Sequence, residues 1–367
     1  MNCETCGDTF KIVWKINKSI APNRYRKKKT ELSRESKQKS LFCEKCNYIK
    51  NNHNLLLKDI FGDYKYRSPK NNSDIQIVKY LKKFCKLNSI KSIVEIGGNN
   101  AVFAKKLISN LNKINEYLLY DKVPFKKSNN ILFHKNEYIS SKTKFKQTDL
   151  IIARHVFAHN RSIKKFATNI YKKFNPKYIY IECANWNLTY KNLDFGQLYS
   201  EHFYALSPYS VFKLFCDYKY GLKELSNFDI HNGSFGLILG KNSTKTISRR
   251  KKINYSKVRL KIMSWNKKTK SIWQKASKNN IIIWGASAKI IFMINALNLS
   301  INKIKFIHDS TYVKQNLYPP GINTSVSAEP KKINYDYFNV VVGAKNFQKI
   351  IIPKIKYFYP NSKIYLI

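Results

Sequence analysis

From about residue 74 onward the chain alternates two hydrophobic textures. DIQIVKYLKKFCKL repeats its apolar residues at helical spacing and leads into SIVEIGG, a short run of buried-strand type. A second helical pattern follows, AVFAKKLISNLNKI. EYLLYD, DLIIARHVFAH and KYIYIECANW then supply strand-type runs separated by helix-length stretches. Strands alternating with helices predict a parallel, doubly wound sheet. GLKELSNFDIHNGSFGLILGKN reads as a closing hairpin through His231-Asn232-Gly233-Ser234. Residues 242–256 are charged and poor in apolar positions, as a linker would be. Beyond them NIIIWGASAKIIFMINALN opens a second strand–glycine–helix unit, to which KIKFIHD, YFNVVVGA and KIYLI add buried strands. Before residue 74 no long apolar pattern exists: two cysteine pairs flank a polar loop, RYRKKKTELSRESKQKS, in a segment too poor in core residues to fold without a staple. Three domains are predicted, over 1–72, 73–241 and 242–367.

Composition supports this division. The 367 residues exceed the usual one-domain length, and 43% are hydrophobic, which excludes a disordered chain. The longest apolar stretch is broken by Lys289, so no membrane span is expected, and the N-terminus has no secretory pattern. A cytoplasmic protein is the expectation. The formal charge of +46 points toward polyanions. Arginine, however, occupies only nine positions, and the lysine excess comes with equal excesses of Ile and Asn. A coding bias accounts for all three, so nucleic acid is not the expected partner.

Four of the seven cysteines form Cys3-x-x-Cys6 and Cys43-x-x-Cys46. Two such pairs can close tetrahedral thiolate coordination around Zn²⁺, and a site closed by four thiolates is structural. Glu95-Ile96-Gly97-Gly98-Asn99 ends a strand and opens a helix. Backbone can approach a ligand closely at such a turn, and an E-x-G strand end suits S-adenosylmethionine. Asp121, ending the next strand, is placed to accept from ribose hydroxyls. A Gly-containing turn that merely packs is the alternative. Tyr199-Ser200-Glu201-His202 gathers a candidate general base with a carboxylate and a phenol. His155 and His159 could share a helix face as metal ligands but lack a third. Gly285-Ala286-Ser287-Ala288-Lys289 offers backbone N–H groups and a cation to a phosphate, or simply tight strand–helix packing.

In this order the motifs resemble those of the three-domain sugar C-methyltransferases, whose best-known members methylate C3 of dTDP-linked 4-keto deoxysugars. The four cysteines match the family's zinc set, Tyr64-Lys65-Tyr66-Arg67-Ser68 its aromatic segment, and Glu95–Asn99 its cofactor loop. Ala153-Arg154-His155-Val156-Phe157-Ala158-His159, Tyr199–His202 and His231–Ser234 follow in register. Gly285–Lys289, Asp309, Lys314-Gln315 and Pro320-Gly321 complete the series. The sequence departs from the pattern at Asn100 and Ala101, where the family has Asp and Gly, and at Ser200, Gly236, Ile283, Ile290 and Asn316.

The resemblance implies an α/β fold: a small zinc-binding domain, a Rossmann-like class I methyltransferase domain and a smaller Rossmann-like C-terminal domain. It places Glu95, Gly97, Gly98, Asn99, Asp121, Arg154 and His155 around S-adenosylmethionine. Gly285, Ser287, Lys289, Asp309 and Lys314 fall around a nucleotide sugar of dTDP type. Catalysis is implied for His202 as base, Glu201 as its orienting partner, and Tyr199 and Tyr66 as donors to the ketone oxygen. Rival readings are a polynucleotide or protein methyltransferase, a non-catalytic binding protein and an NAD-dependent oxidoreductase. The last lacks a G-x-G-x-x-G loop.

Overall fold

A computed structural model of the chain describes residues 1–62, 74–123, 131–230, 233–248, 253–344 and 347–367. Tyr64, Tyr66, His231 and Asn232 lie outside the described residues.

The N-terminal segment forms an antiparallel sheet of β1 (Lys11–Ile20), β2 (Glu35–Cys43) and β3 (Tyr48–His53). A short helix, α1 (Leu57–Phe61), follows it. The expected polar loop therefore runs only to residue 34. Its last part, ESKQKS, is strand, with Gln38 and Ser40 turned inward and buried. The hydrophobic face of β1 (Val13, Trp14, Ile16, Ile20) shares its core with the C-terminal part of the chain. Trp14 meets Trp265 and Phe292 edge-on, with centroids 5.7 and 5.8 Å apart. The segment is thus stapled by its neighbour as well as by its cysteines.

The central sheet uses β4 (Ser92–Ile96), β5 (Glu116–Tyr120), β6 (Leu132–Lys135), β7 (Leu150–Arg154) and β8 (Tyr178–Ala184). Helices α2 (Asp74–Leu87), α3 (Val102–Ile108), α4 (Ile163–Phe174) and α5 (Trp186–Lys191) alternate with these strands. The two-residue β9 (Tyr204–Ala205) leaves this unit and pairs with β3, so the first sheet has four strands. After α6 (Pro208–Cys216), β10 (Tyr220–Phe228) and β11 (Ser234–Lys241) form the expected hairpin. The strand order is β10-β11-β8-β7-β4-β5-β6, parallel except for β11, which runs against both neighbours. This is a Rossmann-like α/β sheet, parallel with one reversed strand. Unbroken apolar runs such as IIA in β7 and YIYI in β8 form because both faces of these strands are covered.

The long helix α7 (Tyr255–Ala276) opens the last unit. Its parallel strands are β12 (Ile281–Trp284), β13 (Ile304–His308), β14 (Val326–Ser327), β15 (Asn339–Val342) and β16 (Lys363–Leu366). They are ordered β14-β13-β12-β15-β16, with α8 (Ala288–Ala296) after β12 and α9 (Gln348–Phe358) after β15. It is a second doubly wound sheet. Its topological switch lies between β12 and β15, where ligands bind in such folds. No described helix is long and apolar enough to cross a membrane.

Candidate active site

The four predicted cysteines meet. Their sulfurs all lie within 4.8 Å of one another, with Cys3 to Cys46 at 3.9 Å and Cys6 to Cys43 at 3.6 Å. Zn–S bonds of about 2.3 Å place tetrahedral sulfurs roughly 3.8 Å apart, so the donor set fits zinc. Both pairs are followed by a residue in the left-handed region, Gly7 (φ 75°) and Asn47 (φ 55°). The amide of each donates to the carbonyl of the first cysteine at 2.8 Å. Two equivalent knuckles result. Between Cys3 and Cys6, Glu4 accepts from Ser162 Oγ (2.5 Å), the N-cap of α4, and from the Tyr204 hydroxyl, which docks the cluster on the central domain.

The loop after β4 is built for close approach. Gly97 has φ 77°, and a Cβ there would collide with Val156 Cγ2. A Cβ on Gly98 would come to 2.5 Å from Leu119 Cδ1. Asp121 accepts from the amides of Asn99 and Val123, both at 2.8 Å, which aims its carboxylate at the loop. Glu95 is buried and accepts from the Tyr117 hydroxyl at 2.7 Å. Burial outweighs that bond and pushes its carboxyl up to about 7. Ala101 adopts φ 59°, the conformation a glycine would take without strain. Asn100 Oδ1 is buried and has no hydrogen-bond partner among the described residues, an orphaned acceptor beside the loop.

Arg154 and His155 converge on a residue that sequence reasoning missed, Glu182. Arg154 Nε donates to Glu182 Oε2 at 2.7 Å, His155 Nε2 donates to Oε1 at 2.8 Å, and a second guanidinium nitrogen reaches Asp74 at 2.8 Å. The guanidinium also lies over the Phe103 ring, 3.9 Å from its centroid. Burial alone would raise the Glu182 carboxyl. Arg154, then His155, overcome it and hold it well below the usual range. Arg154 and His155 thereby join β7, β8 and the start of α2. A buried acid inside the strand run YIYIECA was the available signal.

Tyr199 and His202 form a pair. The rings stack with centroids 4.1 Å apart, and Tyr199 Oη lies 2.9 Å from His202 Nε2. His202 Nδ1 lies 2.9 Å from the Gln197 carbonyl. A carbonyl only accepts, so Nδ1 carries a proton; in the neutral ring Nε2 then holds the lone pair and accepts from the Tyr199 hydroxyl. At Nδ1, where a partner was expected from Glu201, the structure has the Gln197 carbonyl. The Glu201 carboxylate, fully buried, instead accepts from the Asn23 amide (2.8 Å) and side chain (2.7 Å). His159 stands against the pair, its ring 4.9 Å from that of His202 and its Nδ1 donating to the Glu201 carbonyl at 2.8 Å. Burial first, then nearby His155, lowers it to about 4, so it is neutral. The paired-ligand reading of His155 and His159 has no third ligand among the described residues. Tyr66 lies outside those residues.

In the last unit, Gly285 (φ 92°) leaves β12 with a Cβ position 2.6 Å from Ala344 Cβ, and the Ser287 hydroxyl donates to the Gly343 carbonyl. Asp309 accepts from the Ala286 amide (2.8 Å), and Lys314 donates to the Ala286 carbonyl (2.9 Å). Lys289 turns away from this crevice and pairs with Asp194 at 2.7 Å. Tyr25 spans to the same turn, its hydroxyl donating to the Ala286 carbonyl at 2.9 Å.

No curated protein matches the sequence. Among solved structures, the chain is similar to the N-methyltransferase NodS from Bradyrhizobium japonicum WM9 in complex with S-adenosyl-L-homocysteine. The identity is 12% and the TM-score 0.38, over 47% of this chain and 90% of that one. It is also similar to magnesium protoporphyrin IX methyltransferase (ChlM) from Synechocystis PCC 6803 with bound SAM. There the identity is 9% and the TM-score 0.36, over 48% and 88%. Likenesses this remote bear on none of the chain's chemistry. Residues 242–366 match the family described as C-methyltransferase C-terminal domain. That match covers the C-terminal unit, which is similar to the C-terminal domain of C-methyltransferases.

Proposed function

We propose that the protein transfers a methyl group from S-adenosylmethionine to a carbon next to the ketone of a nucleotide-linked 4-keto deoxysugar. The observation that carries this reading is the Tyr199–His202 pair. Its Nδ1–H is held by the Gln197 carbonyl, which leaves Nε2 as the basic nitrogen of the neutral ring, and the pair stands where α8 of the C-terminal domain meets the central domain. A carbon beside a ketone loses its proton only if a base takes it while a donor stabilises the enolate oxygen. His202 Nε2 accepts that proton and becomes an imidazolium whose other N–H remains on Gln197. The Tyr199 hydroxyl, released from Nε2, donates to the enolate oxygen, with Tyr66 as the second donor. His159, neutral and packed against the imidazole, avoids adding a like charge beside the imidazolium.

S-adenosylmethionine, when bound, supplies a methyl carbon made electrophilic by its sulfonium. The close-approach loop Gly97–Asn99 would hold it, with Asp121 on the ribose and the orphaned Asn100 Oδ1 as a further acceptor. Zinc on the four cysteines would be structural. The C-terminal switch point, with Gly285, Ser287, Asp309 and Lys314, would seat the nucleotide diphosphate and bring the sugar to His202. His202→Gln and Tyr199→Phe should each lower turnover by about 10²–10⁴-fold, with S-adenosylhomocysteine affinity unchanged by calorimetry. A folded His202→Gln protein that has lost that affinity would show that His202 serves the cofactor site instead.

A further inference from the structure

The loop from Asp194 to His202 is gripped from two sides. From the N-terminal sheet, Asn51 Nδ2 donates to the carbonyls of Leu198 (3.1 Å) and His202 (2.7 Å). Gln38 Nε2 donates to Leu198 (2.8 Å), and His53 Nε2 to Ser200 (2.8 Å). All three side chains are buried. From the opposite side Lys289, in the first turn of α8, holds Asp194 at 2.7 Å. Asp194 precedes the single 3-10 turn Phe195–Gln197, and its carbonyl accepts from the Gln197 amide at 3.2 Å. The last carbonyl of that turn takes the His202 Nδ1 proton. α8 also presses on the turn directly. A Cβ at Gly196 would lie 3.5 Å from Met293 Sδ and 3.6 Å from Lys289 Cβ, and Tyr199 meets Phe292 edge-on at 6.4 Å.

We propose that Lys289 and Asp194 are positioning residues. Their ion pair fixes the 195–197 turn and, through the Gln197 carbonyl, holds His202 with Nδ1 protonated and Nε2 ready to accept a proton. The sequence motif places Lys289 as a phosphate ligand, but the geometry gives it a carboxylate of the neighbouring domain. Docking of the C-terminal domain thereby sets the base. With the N-terminal side chains fixing the middle and end of the loop, the turn at 195–197 is the part that answers to α8. Among the described residues, Tyr199 stacks on the His202 ring and His159 packs against it, its own Nδ1 held by the Glu201 carbonyl. The inference rests on reading His202 as the base, but its test does not need the sugar to be known.

The test is ¹⁵N-histidine NMR of the full-length, zinc-loaded chain, with the His202 signals assigned by their loss in His202→Gln. The wild type should show the Nδ1–H tautomer. Asp194→Asn and Lys289→Met should populate both tautomers, while Lys289→Arg, which keeps the ion pair, should restore the wild-type pattern. With a substrate in hand, the first two variants should lose about ten- to a hundredfold in kcat and shift its pH profile. KM for S-adenosylmethionine should stay within about twofold. A wild-type His202 in the other tautomer, or an Asp194→Asn protein with unchanged tautomer and pH profile, would overturn the proposal. If no 4-keto nucleotide sugar is methylated by the wild type, the proposed function fails, and the tautomer spectra still decide the latch.

Discussion

Glu182→Gln tests how β7 and β8 of the central sheet and the start of α2 are held together. Glu182 has no exposed surface and accepts from Arg154 at 2.7 Å and His155 at 2.8 Å. An amide of the same shape can accept from only one of them and turns its own N–H groups toward the other. Breaking a buried pair from one side costs about 3–5 kcal/mol. Arg154 keeps Asp74 at 2.8 Å and His155 can turn toward solvent, so the low end, about 3 kcal/mol, applies. At roughly 2–4 °C per kcal/mol for a unit of this size, the thermal midpoint should fall by about 6–12 °C at pH 7. Calorimetry, with near-UV circular dichroism to follow tertiary packing, measures it. Adding Arg154→Met should recover part of the loss, because much of the cost is the stranded cation. The pH dependence has a definite sign. The folded carboxyl lies below its ordinary value of 4.5, so its stabilisation is present above that pH and fades as pH falls below it. The gap between wild type and variant should therefore narrow on acidification. A Glu182→Gln midpoint within about 2 °C of wild type, or strictly additive effects in the double variant, would refute the reasoning.

Other outcomes follow from neighbouring features. Glu95 is buried with its carboxyl raised to about 7, so the folded chain holds a proton that the unfolded chain releases, and stability should fall as pH rises from about 4.5 to 7. Glu95→Gln, which can still accept from Tyr117, should raise the thermal midpoint at pH 8.5 and leave it nearly unchanged at pH 4. The protein should carry one zinc by elemental analysis. Cys43→Ser or a strong chelator should remove it and expose backbone amides of β2 and β3 to hydrogen exchange, whereas full zinc content in Cys43→Ser would refute the four-cysteine site.

What the sequence shows and what it hides divide along physical lines. Both doubly wound sheets were legible because strands covered on both faces read as unbroken apolar runs. LLY, LIIA and IIIW are examples. The cysteine knuckles and the Gly97–Gly98 turn were legible because short spacing and glycine carry their meaning locally. β2 was not: its inward positions in ESKQKS are Gln38 and Ser40 rather than Val or Ile, so the alternation reads as loop. Those polar side chains are buried because they bond other polar groups, Gln38 to Leu198 and Ser40 to Asn51. The rule fails where the sheet serves the site. The contacts of Asn23 with Glu201 and of Lys289 with Asp194 join residues far apart in the chain and leave no periodic trace. The motif at Tyr199–His202 marked the side chains that pair there but assigned the orientation of the ring to the adjacent Glu201, since a backbone carbonyl such as that of Gln197 has no signature in side-chain identity.

The most direct test of the central claim is to incubate the zinc-loaded protein with methyl-labelled S-adenosylmethionine and a panel of nucleotide-linked 4-keto deoxysugars, and to locate the label by NMR. The account predicts a labelled methyl bonded to the carbon beside the ketone, formed with loss of that carbon's hydrogen and with none formed by His202→Gln. Label on an oxygen or nitrogen, or no transfer by a protein that binds S-adenosylhomocysteine, would contradict it.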